Sequence, residues 1–243
     1  MQIIKLNATD STNLYLKDLM NSNSLEDYTI VVAEKQTLGR GQMGTKWESK
    51  PFKNLTFSIL KQIDSGEVIH PFVLNICVSL AVYTVLSRLQ LPDLKVKWPN
   101  DILSGNFKIC GILIENIFSG NRMLASVIGI GLNVNQTTFN GLPNVSSLKS
   151  LTGKTFNLDQ LLVEFQSVLK KIFLELDVKG AFEMQKKYEN VLFRKNKPST
   201  FKDNDGNLFM GFIKGVSNKG LLVVTLEDDI IKEFDLKEIS LLY

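Results

Sequence analysis

Apolar positions along the chain fall into short runs that suit strands and longer runs spaced three and four apart that suit helices, with one long stretch that follows neither pattern. Gln2 to Leu6 and Thr29 to Ala33 read as strands. Between them Thr9-Asp10-Ser11-Thr12 offers N-cap chemistry to a helix carrying Leu14, Leu16, Leu19 and Met20. Leu55 to Leu60 reads as a further strand. Val68 to Ser87 carries no Asp, Glu, Lys or Arg over about the length of a bilayer core. His70, Pro71, Asn75, Ser79 and Thr84 interrupt it, and no second span or flanking positive cluster accompanies it, so it predicts a buried core helix rather than a membrane span.

Lys95 to Trp98 reads as a strand end, followed by hairpins turning at Ser104-Gly105-Asn106 and Ser119-Gly120-Asn121. Leu158, Leu161, Leu162, Phe165, Val168, Leu169, Ile172 and Phe173 form the stripe of an amphipathic helix over Phe156 to Leu176, and a second helix is expected over Ala181 to Tyr188. Beyond about Leu192 the texture changes to short strands cut by turns at Asp205-Gly206-Asn207 and Asn218-Lys219-Gly220, ending with Ile230-Ile231 and Ile239 to Leu242. The expected fold class is α+β: residues 1–191 form a mixed β-sheet backed by helices, and residues 192–243 form a small C-terminal β-barrel. No internal repeat or low-complexity segment interrupts this.

The stretch without a period is Glu34 to Asn54, polar, glycine-containing and rich in Lys. Loops of about twenty residues are uncommon in compact domains and usually carry function, which makes this the first place to look for a site. Within it Gly39-Arg40-Gly41-Gln42-Met43-Gly44 matches the dinucleotide-binding pattern letter for letter. Context excludes that reading, because such a loop must open into a helix that receives the pyrophosphate, and here Thr45 to Pro51 is turn-like and leads into a strand. What the glycines do offer is backbone amides that wrap an anion, with Arg40, Lys46, Lys50 and Lys53 adding positive charge.

Three further segments carry candidate chemistry. Lys97-Trp98-Pro99-Asn100-Asp101 presents an amide and a carboxylate after a fixed-φ proline at a strand end, suited to a nucleotide or Mg²⁺. Lys108-Ile109-Cys110-Gly111-Ile112-Leu113 embeds one cation in apolar residues, although a lone strand Lys is more often a solvated edge residue. Gly129-Ile130-Gly131-Leu132-Asn133-Val134-Asn135 lets something pack closely on a strand, unless it is a plain bulge.

Composition narrows the classes. The 243 residues are 44% hydrophobic and 22% charged, ordinary for a globular protein, and a net charge of +3 without a Lys/Arg run indicates no nucleic-acid partner. Cys77 and Cys110 sit in apolar stretches without disulfide or zinc spacing, and the N-terminus has no secretion pattern, so a cytoplasmic protein is expected. The single His70 lies in the apolar helix and reads as structural.

In this order TDSTN, QTLGRGQMGTKW with NLTFSIL, KWPNDI, KICGIL and GIGLNVN resemble the catalytic core of biotin–protein ligases of the short form. The resemblance runs from about Asp10 to Asn135 and more faintly to Glu238-Ile239-Ser240-Leu241. It implies the mixed sheet shared with class II aminoacyl-tRNA synthetases, an SH3-like C-terminal barrel, ATP and Mg²⁺ as cofactors, biotin as substrate and a biotin carboxyl carrier protein as partner. By position it implies that Ser11, Thr12 and Gln36 bond the ureido ring, with Gly39 and Arg40 bordering that pocket. Lys108 and Gly111 would meet the biotin carboxylate and the developing acyl phosphate, making Lys108 and Arg40 the catalytic pair. Trp47, Asn100 and Asn133, with Arg40 and Gln42, fall at the ATP positions, and Asp101 is the candidate Mg²⁺ ligand.

Two departures stand out. Gln42 occupies the place of a usual second Arg, and Leu242 stands where some relatives place an Arg near the nucleotide. The pattern begins so close to Gln2 that no DNA-binding winged helix, and so no repressor role, is expected. A homodimer through strand edges stays open. The rival reading is a lipoate or octanoate ligase or transferase of the same fold, with Cys110 as a conceivable acyl-accepting thiol. A non-enzymatic module gripping protein or RNA through the barrel is the alternative from another class.

Overall fold

A computed structural model of the chain describes residues 2–63 and 69–243. The larger sheet is built from β1 (Ile3–Leu6), β2 (Ile30–Ala33), β3 (Leu55–Gln62), β4 (Leu94–Lys97), β5 (Asp101–Ser104), β6 (Phe107–Ser119) and β7 (Arg122–Leu132). Its strand order is β1-β2-β3-β7-β6-β5-β4. The β1/β2 pair is parallel and the remaining pairs are antiparallel, so the sheet is mixed as expected.

One face of this sheet is covered and the other partly so, which is why its central strands read as near-continuous apolar runs. Ile30, Ile59 and Ile128, aligned by register, face α2 (Pro71–Ser87) and the long α4 (Leu158–Asn190). Their neighbours Val31, Leu60 and Val127 face the opposite way, onto Leu16 of α1 (Thr12–Ser22). Because α1 has only 11 residues, it covers part of that face and leaves the rest open.

α2 is buried all round from Leu74 to Val82, which explains its lack of charged positions. His70 is not inside this helix, as the sequence suggested, but at its N-cap, where its Nδ1 accepts a bond of 3.2 Å from the Phe72 amide while Pro71 begins the first turn. Val68, where the apolar run was placed to start, lies outside the described residues. Among the described residues no helix is long and apolar enough to cross a membrane. Ser11 stands at the N-cap of α1 as expected, but its side chain makes no capping bond.

α4 breaks at Gly180, whose φ of 78° and ψ of 166° fall outside helical geometry, so the two expected helices follow one another directly. A short α3 (Leu148–Thr152), capped by Ser147 and ended by Gly153, had no periodic signal because five residues are too few for one. The second sheet comprises β8 (Pro198–Asp203), β9 (Leu208–Val216), β10 (Leu222–Thr225), β11 (Ile231–Phe234) and β12 (Ile239–Leu242), all antiparallel in the order β11-β10-β9-β8-β12. Phe209 stacks between Phe201 and Phe234 inside it. The Trp98 indole donates to the Gly220 carbonyl at 2.9 Å, and a Cβ on Gly220 would meet Phe72 at 2.4 Å, so the β9–β10 turn seats directly against the larger sheet's layer.

Candidate active site

Where α1 stops, the open face of the sheet changes character. One register row runs Thr56, Gly131, Gly111, Asp101, Lys97 across β3, β7, β6, β5 and β4, and the next runs Ser58, Gly129, Leu113. Small and polar residues replace the apolar ones found under the helix. The Glu34 to Asn54 loop roofs this floor and encloses a cavity of about 290 Å³.

The loop is folded rather than merely extended. The Thr37 and Leu38 amides donate to the carbonyls of Thr9 and Asp10, Trp47 N to Gly39 O at 3.0 Å, and Gly41 N to Thr45 O at 2.7 Å. A Cβ on Gly39 would lie 2.3 Å from the Trp47 carbonyl oxygen, and one on Gly41 would lie 2.4 Å from Thr45 Oγ1. These glycines therefore permit a tight hairpin that folds Trp47 inward. Its indole rests on Gly131 and Gly111, its Nε1 is buried without a hydrogen-bond partner, and the Lys108 ammonium lies 5.9 Å from the ring.

One end of the cavity is neutral and densely bonded. Gln36 Oε1 accepts from Thr12 N at 2.9 Å and from Thr12 Oγ1 at 3.1 Å, which turns the Gln36 amide nitrogen away as a donor without a partner among the described residues. Ser58 Oγ bonds Thr12 Oγ1 at 2.7 Å and Asn13 Oδ1 at 2.6 Å, and Asn13 Nδ2 donates to Glu115 Oε2 at 2.7 Å. Burial works to raise the Glu115 carboxyl, but hydrogen bonds from Lys17 and Asn13 and the charge of Arg40 hold it below the usual carboxylate range. Ser11 lines the same end.

The other end is charged. Lys108 Nζ lies 2.6 Å from Asp101 Oδ1, close enough for an ion pair but without hydrogen-bonding alignment. Lys97 sits across the row from Asp101, and burial pulls its ammonium below the usual lysine range against the opposing pull of Asp101. Lys108 is not a loose edge residue, since its amide donates to Asn144 O and its carbonyl accepts from Ser146 N. Arg40 and Gln42 enter from the roof.

The cavity thus gathers ten of the twelve residues singled out from sequence: Ser11, Thr12 and Gln36 at one end, Arg40, Gln42 and Trp47 in the roof, and Gly111, Lys108, Asp101 and Asn100 toward the other. Two fall elsewhere. Gly39 borders an adjoining recess with Leu38 and Glu48, which shares Gln36, Arg40 and Trp47 with the cavity. Asn133 is 2% exposed beneath the floor, held by Ile109 O and Leu148 N through its own backbone, with its Oδ1 unpaired. Asn100 lines the cavity but spends its amide on the Ile112 carbonyl at 2.7 Å, fastening β5 to β6. Cys110 faces the opposite layer, fully buried in the core, and burial drives its thiol far above the usual range, so it presents no accepting thiolate to the cavity. Among the described residues no group of three or more His, Cys, Asp or Glu could hold a metal.

Sequence reasoning passed over Asn13, Lys97 and Leu236 as lining residues. Asn13 stood in the TDSTN segment and Lys97 opened the Lys97 to Asp101 segment, so both were within reach. Leu236 lies more than a hundred residues away with no local mark.

Residues 6–133 match the family model described as the biotin/lipoate A/B protein ligase family. The bifunctional ligase/repressor BirA of Escherichia coli (strain K12) is 28% identical over 242 residues, spanning 97% of this chain and 73% of BirA. The biotin–[acetyl-CoA-carboxylase] ligase of Paracoccus denitrificans is 34% identical over 131 residues, 53% of each chain. The biotin protein ligase from Aquifex aeolicus in complex with biotin and ATP superposes with a TM-score of 0.82 at 27% identity, covering 99% of this chain and 98% of that one.

Proposed function

Since the chain belongs to the biotin/lipoate A/B protein ligase family, we propose that it is an ATP-dependent biotin–protein ligase, forming biotinyl-5′-AMP and passing the biotinyl group to a lysine of a carboxylase carrier domain. The observation that carries this reading is the polarity of the cavity under the loop: a neutral cradle at Thr12, Asn13 and Gln36, an indole over glycines in the middle, and lysines at the far end. Biotin has the same order of parts, a neutral ureido ring, an apolar chain and a terminal carboxylate.

Ser11, Thr12 and the amide nitrogen of Gln36 bond the ureido group. Trp47 covers the chain, and Lys108 holds the carboxylate as it attacks the α-phosphorus of ATP, expelling diphosphate. Negative charge builds on the phosphate oxygens, and Lys108 with Arg40 neutralises it from fixed positions. Asp101 would be the protein's carboxylate for Mg²⁺: its buried Oδ1 has an ion-pair partner in Lys108 but no hydrogen-bond donor, and a magnesium ion takes one or two carboxylates and otherwise phosphate and water. Held there with ATP, the ion would supply further neutralisation of phosphate charge. In the second step the amine of the carrier lysine attacks the mixed anhydride, giving the amide, AMP and a proton.

Incubation with biotin, ATP, Mg²⁺ and a biotin-accepting carrier domain tests the whole reaction. One biotinyl group is expected on one carrier lysine with release of AMP, and an unmodified carrier under those conditions sinks the reading. Cys110→Ser is expected to leave the rate within about twofold while lowering stability by about 1–3 kcal/mol for the buried hydroxyl. Parallel adenylation and urea-unfolding measurements check both halves, and loss of activity in the folded variant would restore the thiol as a participant.

Gln42 stands in the roof where the family resemblance implies a second arginine beside Arg40, and an amide there forgoes a charge-assisted bond of about 1.5–3 kcal/mol unless the neighbouring Lys46 supplies it. Gln42→Arg is therefore expected to slow biotinyl-AMP dissociation roughly 10- to 100-fold by stopped-flow tryptophan fluorescence. An unchanged off-rate would show that Gln42 or a nearby lysine already retains the adenylate. The same loop closes over bound ligand, so biotin with ATP is expected to suppress tryptic cleavage between Gly39 and Lys53. Equal cleavage with and without ligand would speak against a lid.

A further inference from the structure

The charged end of the cavity is completed by the C-terminal sheet through a contact that the proposed reaction has not used. Lys97 belongs to two spaces at once: it lines the catalytic cavity and also a neighbouring cavity of about 220 Å³ between the sheets. Its ammonium sits 5.2 Å from the ring centroid of Tyr243, directly after β12. Tyr243 is itself braced, with its ring edge-on to Phe193 at 5.2 Å and 70°. Phe193 is buried, and its amide donates to Val96 O at 2.7 Å, next to Lys97 on β4.

We propose that Tyr243 is a positioning residue for the nucleotide, holding the Lys97 ammonium at the Asp101 end of the cavity so that it meets the phosphates of ATP. This rests on the biotin ligase reading above. Lys97, Asp101 and Gly111 share one register row, and Lys108 reaches Asp101 from β6. The end of the cavity opposite the neutral cradle therefore holds two ammonium groups against one carboxylate, an excess of positive charge that suits a triphosphate. A lysine stem is flexible, and a free Lys97 would turn to solvent or collapse onto Asp101 beside Lys108. The ring face of Tyr243 supplies attraction from the other side without adding charge. Burial first and the charge of Asp101 second raise the Tyr243 phenol above the usual tyrosine range.

A positioning role differs from a merely structural one in which substrate it affects. Tyr243→Leu, measured in the full chain by biotinyl-AMP formation, is expected to raise the KM for ATP about tenfold while the KM for biotin changes less than twofold. Tyr243→Phe keeps the ring and is expected to stay within twofold for both. Lys97→Met is expected to reproduce the ATP-specific loss, and Tyr243→Leu added to it should cost little more. The proposal is overturned if Tyr243→Leu leaves the KM for ATP unchanged, weakens biotin and ATP alike, or is matched by Tyr243→Phe. Should Tyr243→Leu fail to fold, Lys97→Met decides, with a normal KM for ATP overturning it. Absence of adenylate formation by the unsubstituted protein would instead bring down the ligase reading itself, and this proposal with it.

Discussion

Lys108→Met is expected to lower the rate of biotinyl-AMP formation by about 10²–10³-fold, the usual cost of removing one fixed group that faces charge developing in a transition state. Lys108 is pinned at both its amide and its carbonyl, and its ammonium is poised between Asp101 and the Trp47 ring, so its position exists before any ligand arrives. Methionine keeps the stem and loses the charge. Biotin affinity should fall by less than the rate does, because the ureido cradle at Thr12 and Gln36 is untouched. Some stability is lost as well, since Asp101 then lacks its cation in a poorly hydrated place, at about 1–3 kcal/mol. Adding Asp101→Asn should recover stability but not rate. Single-turnover formation of the adenylate, read beside urea-unfolding curves, separates the two effects, and a rate within tenfold of the parent would remove Lys108 from the chemistry.

Gly131→Val carries the second large effect. Even a Cβ there would stand 2.4 Å from Trp47 Cε2 and 2.8 Å from its Nε1. The indole must leave the floor, and the roof goes with it, because Trp47 is hydrogen-bonded to Gly39 within the same hairpin. Misplacement of a covering group by about 1 Å can cost about 10²-fold, and the expectation here is a loss of that order in kcat/KM for both biotin and ATP. Folding should tolerate the change better than activity does, since the new side chain projects into the cavity and not into the core on the other face of β7. Near-normal turnover with the tryptophan fluorescence of the parent would show that the indole can stay in place and that the glycine floor is not needed.

The contrast between these sites explains what could be read from the chain. Gly39, Arg40 and Gly41 advertised themselves because a polar, glycine-bearing stretch of that length has no periodic reason to exist. The purpose of Gly131 was open to a bulge, since its neighbour Trp47 comes from another part of the chain and only the register of β3, β7 and β6 brings them together. Lys108 likewise looked like an edge lysine until Asn144 and Ser146 were seen to pin it. Strands and helices were legible where one face alternates or a stripe repeats, as in α4. α3 was not, with only five residues. His70 was misplaced by a few residues because an apolar run marks a helix but not its cap, and capping depends on the Phe72 amide. Leu236 and Tyr243 stayed invisible because their contacts with the cavity arise only when the second sheet seats on Trp98 and Phe193.

At the centre lies the claim that this cavity neutralises the anion made when a bound carboxylate attacks ATP. The direct measurement is mass-spectrometric detection of biotinyl-AMP after mixing the protein with biotin, ATP and Mg²⁺ in the absence of any carrier. The account expects about one enzyme-bound AMP ester per chain, dependent on biotin and abolished in Lys108→Met on the same time scale. Tight binding of biotin and ATP with no ester formed would contradict it.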